Sequence, residues 1–247
     1  MVLDPRTSPS LRGPWRVSLL LGALAVLAAA ACAFPPAARA STIPSRMAFT
    51  GDSRQLIVVT ASSLGSRSGT LRFYTRTSAG WKWVFSATAK LGSSALVDGT
   101  RRVEGSHTTP TGIWRIPGYV FGTHAKPAGT RMAYRRITPR SYWTSARTAL
   151  YNTWVETSTP VPGEHLYGIR AYEYALSTGY NARPNQQVFG RGTAIFLHVN
   201  HPGYTSGCVS VSRAAMLHVF RLLDPKKHPR FAVGTTKRGT RTSIYAY

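Results

Sequence analysis

Cys208 and His198 are the two side chains of this sequence whose types and spacing could do nucleophilic chemistry. They share one short span, Ile195-Phe196-Leu197-His198-Val199-Asn200-His201-Pro202-Gly203-Tyr204-Thr205-Ser206-Gly207-Cys208-Val209-Ser210. A thiol attacks a carbonyl as thiolate, so it needs a base or an electropositive neighbour. Ile195-Phe196-Leu197 is an apolar run of strand type and Pro202-Gly203 is a turn signal. The expectation is therefore a strand that ends near His198, a turn, and a loop that returns Cys208 to its side. An imidazole about 3 to 4 Å from the thiol would share or take its proton and favour thiolate at neutral pH. The competing reading is a buried cysteine that fills core volume. Gly207 and the polar neighbours Thr205, Ser206 and Ser210 do not look like core packing. His198, His201 and Cys208, with His107, His124 or His165 as a fourth ligand, match no standard zinc spacing, so neither a metal nor another cofactor is expected.

The chemistry needs a compartment. Arg6, Arg12 and Arg16 precede an apolar run over residues 17–31, and Ala38-Arg39-Ala40 offers a small-x-small cleavage site before Ser41. Residues 1–40 therefore read as an export signal, the run being too short to span a bilayer comfortably. The alternative is a lipoprotein signal, with Ala29-Ala30-Ala31-Cys32 as the acylated box and membrane anchorage through Cys32. Either way Cys32 leaves the folded domain and Cys208 has no disulfide partner in it. An unpaired thiol in an exported protein points to reactivity.

The net charge of the 247-residue chain is +23. Without residues 1–40 there remain 27 basic and 7 acidic side chains, or +20, so the signal does not explain the imbalance. For an exported protein the fitting partners are anionic wall polymers, carboxylate-bearing stem peptides and the anionic membrane face. The basic residues are scattered in pairs such as Arg101-Arg102, Arg135-Arg136 and Lys226-Lys227, with no dense basic helix or DNA-reading motif, which argues against nucleic acid.

The positioning elements read as mainly β. Gln55 to Thr60, Leu71 to Arg76 and Trp81 to Phe85 have strand composition or alternation, and Ile113 to Ile116 follows a Thr109-Pro110-Thr111-Gly112 turn. Further strands are expected near residues 131–137, 151–155, 172–176 and 231–234. One helix stands out: Ser212 is its N-cap, Met216, Leu217, Phe220 and Leu223 its apolar stripe, and Asp224-Pro225 its end. The layout is a loose lead-in over residues 41–54, one domain over residues 55–236, and a basic tail over residues 237–247.

The chain resembles the bacterial L,D-transpeptidases. The matching pieces are Thr109-Pro110-Thr111-Gly112-Ile113-Trp114, then Tyr172-Glu173-Tyr174-Ala175 with Tyr180-Asn181, then Ile195-Phe196-Leu197-His198 with Thr205-Ser206-Gly207-Cys208-Val209-Ser210, in the family's order. The resemblance implies a β-sandwich-like catalytic domain with a helix after the nucleophile, acting on peptidoglycan stem peptides in the cell envelope. It implies that Cys208 attacks a diamino-acid carbonyl and expels a terminal D-Ala, that His198 is the base, and that the acyl group passes to an amine of a neighbouring stem or to water. It implies acylation of Cys208 by carbapenems. Ser206 and Gly207 take the place of the turn that presents the thiol, with backbone N–H groups near Gly207 and Cys208 as oxyanion donors, and Tyr180 and Asn181 take the place of substrate contacts. Ser206 stands where many members have His, and Ser210 where many have Arg or Asn. A hydrolytic L,D-carboxypeptidase or a non-catalytic wall-binding domain is the alternative function.

Overall fold

The computed structural model describes residues 42–247. The expected export signal, its cleavage site and Cys32 lie outside the described residues. Among the described residues there are fourteen strands and one α-helix, with four short 3-10 segments. The strands are β1 (Gln55–Ala61), β2 (Ser68–Thr77), β3 (Gly80–Lys90), β4 (Leu96–Asp98), β5 (Thr109–Arg115), β6 (Tyr119–Gly122), β7 (Ala133–Arg136), β8 (Ser141–Thr144), β9 (Thr153–Glu156), β10 (Gly163–His165), β11 (Ala175–Ser177), β12 (Phe196–Val199), β13 (Val209–Val211) and β14 (Arg230–Thr235). Helix α1 is Arg213–Leu222. Among the described residues no helix is long and apolar enough to cross a membrane.

The fold is mainly β, as expected. Eleven strands form one sheet in the order β4-β5-β14-β1-β2-β3-β13-β12-β11-β6-β7, and β10-β8-β9 form a second. The large sheet doubles over on itself where β3 meets β13, a junction with a single paired position, Ser210 opposite Lys90. Its two halves then face each other. Ile57 and Val59 of β1, Leu71 and Phe73 of β2 and Phe231 of β14 share one core with Leu176, Leu197, Val199, Val209 and Val211 from the other half. This is a sandwich made by folding one sheet, with alternate side chains of each strand turned into the shared core.

Helix α1 packs into the same core through Met216, Val219 and Phe220, all fully buried. Each such side chain contributes roughly 1.5 to 3 kcal/mol by leaving water. Ser212 caps the helix as its side chain accepts from the Ala215 N–H at 3.2 Å, and extended backbone at Leu223 ends it before Asp224-Pro225.

Strand β1 is buried at all seven positions, so it has a second covered face. Leu56, Val58 and Ala232 on that outer face meet Ile244, with Ile43 and Tyr245 alongside. The lead-in is therefore not loose, and the tail packs on the same face. Thr235 bridges to Ser243 in parallel, the Tyr247 hydroxyl donates to Thr111 Oγ1 at 2.9 Å, and Asp52 in the lead-in pairs with Arg115 and His228. Apolar Ile43 and Ile244 seal a face that would otherwise meet water, and this outweighs the polar composition around them.

Two further readings need correction. Thr109-Pro110-Thr111-Gly112 is not a turn but the first part of β5, because β4 runs parallel beside it and pairs Leu96 with Thr109 and Asp98 with Thr111. Tyr172 and Glu173 are in a short 3-10 turn, Arg170–Glu173, and only the following Ala175–Ser177 is strand.

Candidate active site

Strands β12 and β13 run parallel, with Leu197 opposite Val209, His198 opposite Ser210 and Val199 opposite Val211. Because side chains alternate, Leu197, Val199, Val209 and Val211 enter the sandwich core, while Phe196, His198, Cys208 and Ser210 emerge on the other face. Extending the register back one residue sets Cys208 opposite Phe196, diagonal to His198 and about 8 Å away by strand geometry. That separation is within reach of an imidazole and a thiol that turn toward each other. The outward face is covered by the three-stranded sheet and an aromatic layer. Phe196 meets Trp143 of β8 at 4.8 Å, Phe121 of β6 at 5.2 Å and Tyr172 at 5.5 Å between ring centroids.

A cleft of ≈ 590 Å³ opens over this face, and His198, Cys208, Ser206, Ser210, His201, Glu164 and Tyr172 are among its lining residues. The structure thus brings together three of the expected residues, Cys208, His198 and Ser206. Gly207 lies directly behind them as the buried turn residue. Its φ of +121° is a glycine conformation, and a Cβ there would sit 2.8 Å from the Thr108 carbonyl.

Cys208 differs from the expected loop thiol. It is 8 % exposed and belongs to the aromatic cluster. Its thiol donates to the Ala194 carbonyl at 3.3 Å and accepts from the Phe196 N–H at 3.4 Å. No hydrogen bond joins it to His198 among the described residues. Burial pushes the thiol up to about 12, and the nearby Glu164 carboxylate pushes the same way, against the smaller pull of the Phe196 N–H and Arg102. With no cation hydrogen-bonded to the thiol, the apolar surroundings favour its neutral form, in contrast to the expected thiolate beside an imidazole.

His198 is 7 % exposed. Burial lowers its pKa to about 4, opposed by its bond to Val199 and aided by His201. Its Nδ1 is 2.8 Å from the Val199 carbonyl oxygen, which can only accept, so Nδ1 carries the proton and Nε2 bears the lone pair. The Tyr172 ring stands edge-on at 5.6 Å. The resting pair is thus a neutral thiol and a neutral, oriented imidazole.

Threonines fix the backbone at Cys208. Thr205 Oγ1 donates to the Cys208 carbonyl at 2.6 Å and accepts from the Gly207 N–H at 3.2 Å. Thr109 Oγ1 also donates to the Cys208 carbonyl, at 3.2 Å, and accepts from the Gly92 N–H at 2.7 Å. The Thr-Pro-Thr-Gly segment therefore acts on the site through Thr109. Since the Gly207 N–H is taken by Thr205, it is not a free oxyanion donor in this state. The loop before Cys208 is anchored by Lys90, whose Nζ donates to the carbonyls of His201 and Gly203.

Tyr180 and Asn181 are not among the residues lining this cleft; both border a separate cavity. The Tyr180 hydroxyl is within hydrogen-bond distance of the Gly99 and Arg191 carbonyls. Asn181 is tied to Val188 and Gly192. Their polar atoms are committed to shaping the segment that leads into β12, so their place is behind the site and not in it. Asn152 completes that support: its Oδ1 accepts from Trp143 Nε1 at 2.5 Å and from the Ala194 N–H at 3.0 Å.

Three further contributors stand outside the Cys-His span, and of them only Tyr172 belongs to a segment that the resemblance singled out. Glu164 and Tyr172 line the cleft. Arg102 is buried behind it, with Nε donating to the Thr108 carbonyl at 2.9 Å and Nη1 to the Arg191 carbonyl at 2.8 Å. Gly192 and Gly207 both pack on its guanidinium. Among the described residues no group of three or more His, Cys, Asp or Glu side chains is placed to hold a metal ion.

No curated protein matches the chain. A family model, the L,D-transpeptidase catalytic domain YkuD, matches residues 55–242. That span runs from the first residue of β1 through Cys208 to the segment that closes back on β14, and with it the chain belongs to the YkuD L,D-transpeptidase catalytic domain family.

Proposed function

We propose that the protein is a peptidoglycan L,D-transpeptidase that works through a Cys208 acyl-enzyme, exported to the cell envelope. The observation that carries this reading is the outward face of β12 and β13, where an Nε2-basic His198 and the Cys208 thiol line one cleft. On substrate binding Sγ leaves the Ala194 carbonyl and turns toward His198. The thiol proton passes to Nε2 as sulfur bonds to the diamino-acid carbonyl carbon. The tetrahedral intermediate collapses to a thioester, and the departing D-Ala amine takes the proton from the imidazolium. An acceptor stem amine then gives a proton to Nε2, attacks the thioester and releases the thiol. Water in place of the amine gives the carboxypeptidase outcome through the same intermediate.

The neutral resting pair suits this sequence. A general base with its lone pair free removes the proton only when sulfur can use the charge, so the buried thiol stays inert between turnovers. The strongly basic surface supports retention on anionic wall polymers. Incubation with disaccharide-tetrapeptide tests the reading: D-Ala release with dimer formation is expected, and Cys208→Ala abolishes both. Dimer formation undiminished in Cys208→Ala would reject it.

A further inference from the structure

The chain carries few carboxylates, and most of those described are neutralised. Asp52, Asp98, Glu173 and Asp224 each pair with an arginine. Glu164 is an exception in a telling place. It projects from β10, the strand of the small sheet opposite Trp143, and it is the one carboxylate lining the Cys208 cleft among the described residues. No Lys, Arg or His forms an ion pair with it among those residues. The Tyr172 hydroxyl donates to its Oε1 at 2.8 Å and so fixes the carboxylate plane. The same tyrosine ring stands against His198.

An anion here works against the chemistry. A negative charge beside Cys208 disfavours the thiolate that attack requires, and the Arg102 guanidinium behind the turn offsets it only in part. Burial raises the Glu164 pKa, and although Arg170 also lines the cleft it forms no ion pair with this carboxylate; its charge is therefore held at a cost that a cation arriving with the ligand relieves. We propose that the Glu164 carboxylate, oriented by Tyr172 in the wall of the cleft, is the subsite for a primary ammonium group of the substrate peptide, and that docking of that ammonium neutralises the charge beside the thiol. Substrate lacking the amine binds more weakly and leaves Cys208 protonated; substrate bearing it both binds and prepares the nucleophile. Glu164 is then a specificity-determining residue coupled to the thiol through charge. The inference rests on the transpeptidase reading for the identity of the peptide, and its test is therefore made without turnover.

Binding to Cys208→Ala protein by titration calorimetry separates the two questions. The probes are a stem tetrapeptide with a free side-chain amine and the same peptide N-acetylated at that amine. The free amine should bind about 10- to 100-fold more tightly, the range for a hydrogen bond to a charged group. In Cys208→Ala/Glu164→Gln the two peptides should bind within about twofold of each other, and Glu164→Asp should restore part of the preference. In the otherwise unaltered protein, Glu164→Gln should speed alkylation of Cys208 by neutral iodoacetamide several-fold, a gain that general loosening of the cleft does not combine with loss of amine preference. Equal binding of both peptides to Cys208→Ala protein, or an amine preference that survives Glu164→Gln, overturns the ammonium subsite. Amine preference that depends on Glu164 with no D-Ala release by the unaltered protein supports the subsite and overturns the transfer reading alone.

Discussion

Alkylation of Cys208 as a function of pH probes the protonation state on which the mechanism depends. With the thiol near 12, the thiolate fraction at pH 7 is about 10⁻⁵, against about 3 in 100 for an ordinary cysteine near 8.5. The fraction alone slows reaction about 3,000-fold. A more basic thiolate is also more nucleophilic, and a Brønsted slope of about 0.4 to 0.5 over 3.5 units returns roughly 30- to 50-fold. The net expectation is a rate roughly 100-fold below that of free cysteine, before any further slowing from burial. Stopped-time iodoacetamide labelling with mass detection should show the rate rising about tenfold per pH unit from 7 to 9, with no plateau in that range. Because no hydrogen bond links the thiol to His198 at rest, His198→Ala should change this resting rate less than about threefold while abolishing turnover. A plateau with an apparent pKa below 7, lost in His198→Ala, would show a preformed thiolate-imidazolium pair and refute the reasoning.

Three other outcomes follow from the same geometry. His198 has a folded pKa near 4 against 6.5 unfolded, so the unfolded chain binds the extra proton and stability is lost as pH falls from 6.5; at pH 4 the loss is about 3 kcal/mol. Urea melts should show that loss shrinking in His198→Gln; an unchanged pH slope would remove His198 as its source. Gly207→Ala puts a Cβ 2.8 Å from the Thr108 carbonyl at a φ of +121°, which should cost about 1 to 3 kcal/mol in the same melts and nearly all turnover; retained activity would show that the turn has slack. Thr109→Val removes the hydroxyl shared by the Gly92 N–H and the Cys208 carbonyl, a loss of about 1 to 3 kcal/mol, and should lower kcat more than it raises KM, whereas a pure KM effect would detach Thr109 from the nucleophile's positioning.

What the sequence made legible was local. The apolar run before His198, the Ser212 cap and the stripe of Met216 and Phe220 each encode an element through neighbouring residues, and the structure has them as β12 and α1. That His198 and Cys208 line one cleft follows from the parallel pairing of β12 and β13, whose connecting segment, residues 200–208, is short enough for the span to read as one unit. What stayed hidden depends on distant pairing. Thr109-Pro110-Thr111-Gly112 has turn composition and becomes strand only because β4 lies beside it. Strand β13 is three residues long and exists by pairing with β12, so Cys208 reads as loop and is in fact packed under Phe196. Tyr180 and Asn181 are near the span in sequence, yet nothing local reveals that their polar atoms face inward to Arg191 and Gly192. Glu164 sits in a three-residue strand whose place over the cleft is set by β8.

The central claim is that Cys208 carries the acyl group, and intact-protein mass spectrometry after incubation with a carbapenem and, separately, with tetrapeptide stem tests it most directly. The account predicts a single adduct of the acyl mass that peptide mapping assigns to Cys208, absent in Cys208→Ala and strongly slowed in His198→Ala. An unmodified protein under both conditions, or an adduct that persists in Cys208→Ala, would contradict it.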